Sequence, residues 1–242
     1  MRRFAAGLCI LFLAGPTFAA EAPLKILTPG YGQLAMQELE PLIEKTIGGP
    51  VDIEIVGTGG IPERILKGDK IDFVLTYRES LAPAKDRIQA QTDVAVSHVA
   101  IAVADNAALP VFKTHADVAA FLKATPSLAR STSLSGQHMA LVIEKLGLTE
   151  EMKPKVTTSG GLPGTQLKEG KVAAAAQQVS ELRLAGLKNI VPLPDGLQTD
   201  LVLTAATIHG TTRAADTKKI VGLLQSADAA KAYVNAGLKP AK

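Results

Sequence analysis

The chain has 242 residues, 47% of them hydrophobic and 20% charged, with a formal charge of +3. That composition belongs to a folded globular protein, long enough for one large domain or two lobes of roughly 100 residues each. Aromatics are only 4%, Trp is absent, a single Cys is present and no dense basic stripe occurs. The single Cys excludes a disulfide framework, a Cys-ligated zinc site and an iron–sulfur cluster; the charge gives no nucleic-acid footprint, and base- or sugar-stacking clefts are poorly supported.

Arg2-Arg3 followed by the apolar run Phe4 to Ala14, the Gly15-Pro16 break and the small residues Ala19, Ala20 and Ala22 read as a secretory leader over residues 1–22. The run is too short to span a bilayer. Leu8 before Cys9 argues against lipidation. Removing Arg2 and Arg3 leaves the rest near neutral. The expectation is a periplasmic, soluble, monomeric mature protein.

Beyond the leader, strands and helices alternate. Strands are expected at Leu24 to Thr28, Val51 to Val56 and Ile71 to Leu75, with helices at Gln33 to Lys45 and Ile61 to Lys67 between them. This β-α-β-α-β order favours a parallel sheet. Asp93 to Ala104 is almost wholly apolar and reads as one long strand crossing between lobes. Helices follow at Thr114 to Ala124, with Thr114 as N-cap, at Ser135 to Leu146, closed by Gly147, and at Leu162 to Glu169, ended by Gly170. Strands are expected at Leu128 to Ser131, Lys155 to Thr158, Val172 to Ala176, Ile190 to Leu193 and Leu201 to Ala206. Two tail helices cover Thr212 to Gln225 and Ala227 to Ala236. The fold class is α/β with two lobes, each a mostly parallel sheet flanked by helices. The first lobe takes residues 23–97 and 200–242, the second 98–199.

Ligands of open α/β sheets sit beyond the carboxyl ends of strands, against helix N-termini whose free N–H groups favour anions. Four such junctions are rich in small polar residues: Thr28-Pro29-Gly30-Tyr31-Gly32, Gly57-Thr58-Gly59-Gly60, Ser131 to Gly136, and Thr158 to Gly161. Each alone reads as turn chemistry; together they can ring a cleft with hydroxyls and amides. Neither a Walker loop nor a dinucleotide fingerprint is present, nor a nucleophile elbow. The four His are dispersed, with no metal-ligand spacing. Candidate ligand-binding residues are Gly30, Tyr31, Thr58, Gly59, Tyr77, Arg78, Ser133, Ser135, Gly136, Gln177 and Gln178. Arg78 offers a bidentate grip on a carboxylate, or is an exposed loop charge. His138, one turn into the helix opened by Ser135-Gly136, is either packed between the lobes or the leading proton-transfer group. Glu181 is the second catalytic candidate, with a helix-start charge as the simpler reading.

Gly57-Thr58-Gly59-Gly60-Ile61, Lys70 to Leu75, Glu144-Lys145-Leu146-Gly147-Leu148 and the helix Ala229 to Gly237 together resemble the type 2 periplasmic solute-binding proteins of the molybdate-binding-protein-like group. The resemblance spans Leu24 to Lys239. Molybdate binders carry Ala-Ala-Ser after the first strand, where this chain has Thr28-Pro29-Gly30-Tyr31. They carry a Ser in the second loop, where it has Thr58, and a Tyr after the late strand, where it has Gln177-Gln178-Val179-Ser180-Glu181. That run, with Ser135-Gly136 and His138, is similar to a divergent branch of the same scaffold, the aconitate isomerases. The resemblance implies a small di- or tricarboxylate or oxyanion bound between the lobes and, in the transport case, an ABC-type permease as partner. In the enzyme case it implies a cofactor-free allylic proton shift between trans- and cis-aconitate.

Overall fold

The computed structural model describes residues 22–160 and 162–241. The expected leader, apart from Ala22, lies outside the described residues. Among those described, no helix is long and apolar enough to cross a membrane.

The first lobe opens with β1 (Leu24–Thr28), α1 (Gly30–Ile47), β2 (Val51–Ile55), α2 (Gly60–Lys67) and β3 (Phe73–Tyr77), then 3-10 turns over Arg78–Arg87 and β4 (Ile88–Ser97). The chain passes through His98 into the second lobe. That lobe holds β5 (Val99–Val103), α3 (His115–Ala124), β6 (Leu128–Ser131), α4 (Leu134–Lys145), α5 (Thr149–Met152), β7 (Val156–Ser159), α6 (Pro163–Lys168), β8 (Ala174–Gln178), α7 (Val179–Leu184) and β9 (Ile190–Pro192). It then returns through β10 (Leu201–Ile208), α8 (Ala214–Leu224), α9 (Ala227–Ala236) and β11 (Lys239–Pro240).

Two sheets result, ordered β11-β4-β10-β3-β1-β2 and β7-β6-β8-β5-β9. Each contains three parallel strands and an antiparallel strand delivered from the other lobe: β10 beside β3, and β5 beside β8. The register explains this arrangement. Val99, where β5 begins, faces Gln178, where β8 ends. Leu203, near the start of β10, faces Tyr77, the last residue of β3. Each crossing strand therefore starts at the carboxyl ends of the parallel strands and runs away from them, which forces antiparallel pairing and gathers those ends between the lobes.

Each lobe has its own core. In the first, Leu24, Ile26, Phe73 and Leu75 pack against Met36, Leu39 and Ile43 of α1 and against Ile220, Leu224 and Tyr233 of α8 and α9. In the second, Val99, Ile101 and Leu128 meet Val118, Leu122, Met139 and Val142. Thr114 caps α3 with a full capping box to Asp117, as its position before the apolar run leads one to expect.

Three expected strands change. The single strand over Asp93 to Ala104 is two strands broken at His98, because β4 pairs with β10 while β5 pairs with β8 and β9. The strands expected at Ile71 to Leu75 and Val172 to Ala176 lie two residues later, at β3 and β8. Apolar runs place a strand only roughly; here the ladders Ile26↔Phe73 and Leu128↔Ala174 set the starts. The helix start read at Glu181 is the short helix α7. It carries no long periodic stripe and is held by tertiary bonds: Val179 N–H donates to His98 O (3.1 Å), and the Arg183 guanidinium donates to Val234 O (2.8 Å) and Asn235 O (2.7 Å), the C-terminal carbonyls of α9.

Candidate ligand cleft

A cavity of about 310 Å3 lies between the lobes, within the size of small-ligand pockets. The first lobe contributes Gly30, Tyr31, Gln33, Thr58 and Tyr77; the second contributes Ser131, Ser133, Gln177, Gln178 and Glu181. A groove of about 540 Å3 around Arg130, Glu144 and Lys153 takes its walls from the second lobe alone, so it does not use the two-lobed architecture. Among the described residues, the cleft lining contains no Lys, Arg or His, and Glu181 is its one ionisable carboxyl.

Two helices point their N-termini at this space. α1 is preceded by Pro29 and α4 by Ser133; neither has a side-chain capping bond or an acidic residue in its first turn. In the first turn of α1 the Gly32 N–H is taken by Pro29 O (2.9 Å), which leaves those of Gly30 and Tyr31, and the start of α4, to face an anion, backed by the helix dipole. Ser133 Oγ turns instead to Ser131 Oγ (2.7 Å), with Ser135 Oγ further off at 3.4 Å. Gly136 makes this tight turn possible: a Cβ there would lie 1.8 Å from Ser131 O.

Tyr31 and Tyr77 stack with ring centroids 4.0 Å apart. Tyr31 Oη accepts the Tyr77 N–H (2.8 Å) and bonds Thr76 Oγ1 (3.0 Å). Burial pushes the Tyr31 phenol far above its usual range, so it stays neutral and acts as a strut.

Glu181 stands opposite. It occupies the first turn of α7, yet its carboxyl lies in the cleft wall, with Oε1 3.6 Å from where a Cβ on Gly30 would sit. Its other oxygen, Oε2, accepts from Gln178 Nε2 (3.2 Å), and Gln178 Oε1 in turn accepts from Ser97 Oγ (2.7 Å). Gln177 Oε1 accepts the Gly164 N–H at 3.2 Å, which leaves its amide N–H groups to serve Glu181. Desolvation by burial dominates over these bonds and lifts the Glu181 pKa to about 7. A carboxyl poised near neutrality in a cleft can give or take a proton at working pH.

Two candidates from the sequence fall elsewhere. His138 does not face the cleft: its Nε2 lies 2.7 Å from Leu197 O, so the ring ties α4 to the segment leading back to the first lobe. Helical spacing alone did not reveal which way that face turns. His138→Ala is expected to cost about 1 kcal/mol of stability and to leave ligand affinity unchanged, as calorimetry can check. Arg78 follows the cleft residue Tyr77 at the start of the 3-10 segment, but its side chain pairs with Asp93 (3.2 Å) and is absent from the cleft lining. Gly59, the exposed residue before α2, is absent from the lining, and the buried Ser135 and Gly136 stand behind the wall rather than in it. Residues missed in the sequence are Ser97, which orients Gln178, and the apolar rim formed by Ile55 and Leu162.

The family model described as bacterial extracellular solute-binding protein matches residues 24–239. The chain belongs to that family. A curated relative, the aconitate isomerase of a Pseudomonas species, is 26% identical over 245 residues, covering 96% of this chain and 94% of its own. Among solved structures, the periplasmic molybdate-binding protein of Azotobacter vinelandii superposes with a TM-score of 0.75 at 15% identity, covering 90% of this chain and 100% of its own. PEB3 of Campylobacter jejuni gives 0.67 at 13%, covering 89% and 99%. These structures share the two-lobed binding-protein fold with this member of the family.

Proposed function

We propose that this solute-binding-family protein holds a small polycarboxylate between its lobes and moves a proton on it, as an isomerase of the aconitate type. The observation that carries the reading is Glu181: one buried carboxyl, with a pKa near 7, in a cleft whose other polar residues are all neutral. The curated relative, matched over 94% of its own length, supports the substrate class.

The chemistry is an allylic shift. The Glu181 carboxylate takes a proton from the methylene carbon, and the electron pair spreads through the double bond onto the conjugated carboxylate. The double bond migrates, and Glu181 returns the proton to the far carbon of the three-carbon unit. One carboxyl serves both steps, so the atoms balance without a second base. The helix N-termini, Thr58 and the serines hold the other carboxylates. Closure of the two lobes excludes water while the charge develops.

A second reading keeps the same ligand class without chemistry: capture of a small anion and delivery to an ABC-type permease. The wall of hydroxyls and amides without a fixed cation favours it, because neutral donors suit reversible binding. A thermal-shift panel addresses what both readings share. cis- and trans-Aconitate are expected to raise the unfolding temperature, with stabilisation of about 2.7 kcal/mol at 100 times the dissociation constant, and neutral sugars to leave it unchanged. A large shift with a sugar and none with any polycarboxylate or oxyanion overturns both.

A further inference from the structure

Tyr77 ends β3 at the floor of the cleft and is almost completely buried. Its hydroxyl has no hydrogen-bond partner among the described residues. Ser97 Oγ is its polar neighbour, yet Ser97 donates to Gln178 Oε1 and makes no hydrogen bond with the Tyr77 hydroxyl. A buried phenol without a partner is costly, of the order of a lost hydrogen bond, and such costs concentrate where a ligand is meant to supply the missing partner. The backbone holds the group ready. The ring is clamped by the Tyr31 stack, the Tyr77 N–H is bound to Tyr31 Oη, and the Tyr77 carbonyl accepts from Ser80 Oγ (2.7 Å).

We propose that Tyr77 is a second catalytic residue of the cleft, its hydroxyl donating a hydrogen bond to the substrate carboxylate that gathers charge as Glu181 removes the proton. This rests on the isomerase reading above. The role needs a donor that keeps its own proton, and the surroundings provide one: burial and the neighbouring Tyr31 and Glu181 push the Tyr77 phenol well above its normal range. The proton remains on Tyr77 throughout; the phenol stabilises the dienolate and does not transfer. Donors of this kind are worth about 100- to 1000-fold in turnover.

Tyr77→Phe separates this role from a structural one, since Phe keeps the ring stack and removes only the hydroxyl. The expected result is a kcat for trans-aconitate reduced roughly 100-fold or more, a KM changed by less than about tenfold, and an unfolding temperature in the absence of ligand equal to or above that of the wild type. An active wild type beside a Tyr77→Phe variant with kcat within about threefold overturns the assignment and leaves the isomerase reading intact. A fall in the ligand-free unfolding temperature of more than a few degrees also overturns it, by showing that the hydroxyl supports the fold. An inactive wild type removes the isomerase reading, and this assignment with it.

Discussion

Glu181→Gln is expected to abolish proton transfer while making the protein more stable. The amide keeps the shape and can still accept from Gln178 Nε2, but it cannot take a proton from carbon. Turnover is expected to fall by about two to four orders of magnitude, the usual contribution of a positioned base. Stability moves the other way. The folded protein holds the Glu181 proton up to about pH 7, whereas an unfolded chain releases it near the ordinary glutamate value. Stability conferred by the neutral form is therefore lost as pH rises through that window. Above it, the buried carboxylate costs about 3 kcal/mol. Glu181→Gln should thus raise the unfolding temperature at about pH 8 and leave it nearly unchanged at about pH 4. The kcat/KM of the wild type should decline below about pH 7, as the base becomes protonated. A variant that loses activity but gains no stability at alkaline pH would mean that the carboxyl is not desolvated in the ligand-free protein.

The second large effect is at Gly136. A methyl group there would sit 1.8 Å from Ser131 O and 2.8 Å from Ser131 N, and backbone cannot move aside as a flexible side chain does. Gly136→Ala must displace the start of α4 from the end of β6. The expected cost is about 3 kcal/mol, a fall of roughly 6–12 °C in unfolding temperature. Ligand affinity should fall as well, because the same turn sets Ser131 and Ser133 against the cleft. Gly222, inside α8, is the control, since a Cβ added there would meet nothing within 4 Å. Gly222→Ala should gain roughly 0.5–1 kcal/mol through helix propensity. Equal stability of the two variants would contradict this role for Gly136.

Much of this was legible in the residues. The alternation of apolar strands and periodic helices gives the α/β order, and the Gly, Ser and Thr junctions mark the strand ends that meet at the cleft. Gly30, Tyr31, Thr58, Tyr77, Ser133, Gln177, Gln178 and Glu181 all line it. Directions were harder to read. His138 and Arg78 carry the right chemistry for an anion site, but a backbone carbonyl at Leu197 and a carboxylate at Asp93 hold them elsewhere, and both partners are distant in sequence. Glu181 appears in one dimension as a charge at the start of a helix. Only the docking of α7 onto His98 and the end of α9 shows that this first turn faces the space between the lobes. The break at His98 was equally hidden, since hydrophobicity continues through it while the strand partners change.

Whether one carboxyl in a binding-protein cleft moves a proton on an unsaturated polycarboxylate is tested most directly by ultraviolet absorbance. Purified protein is added to trans-aconitate and, separately, to cis-aconitate. Both solutions are expected to reach the same equilibrium mixture, at a rate proportional to wild-type protein and lost in Glu181→Gln. Binding of either isomer by calorimetry with no absorbance change in the wild type would contradict the isomerase function.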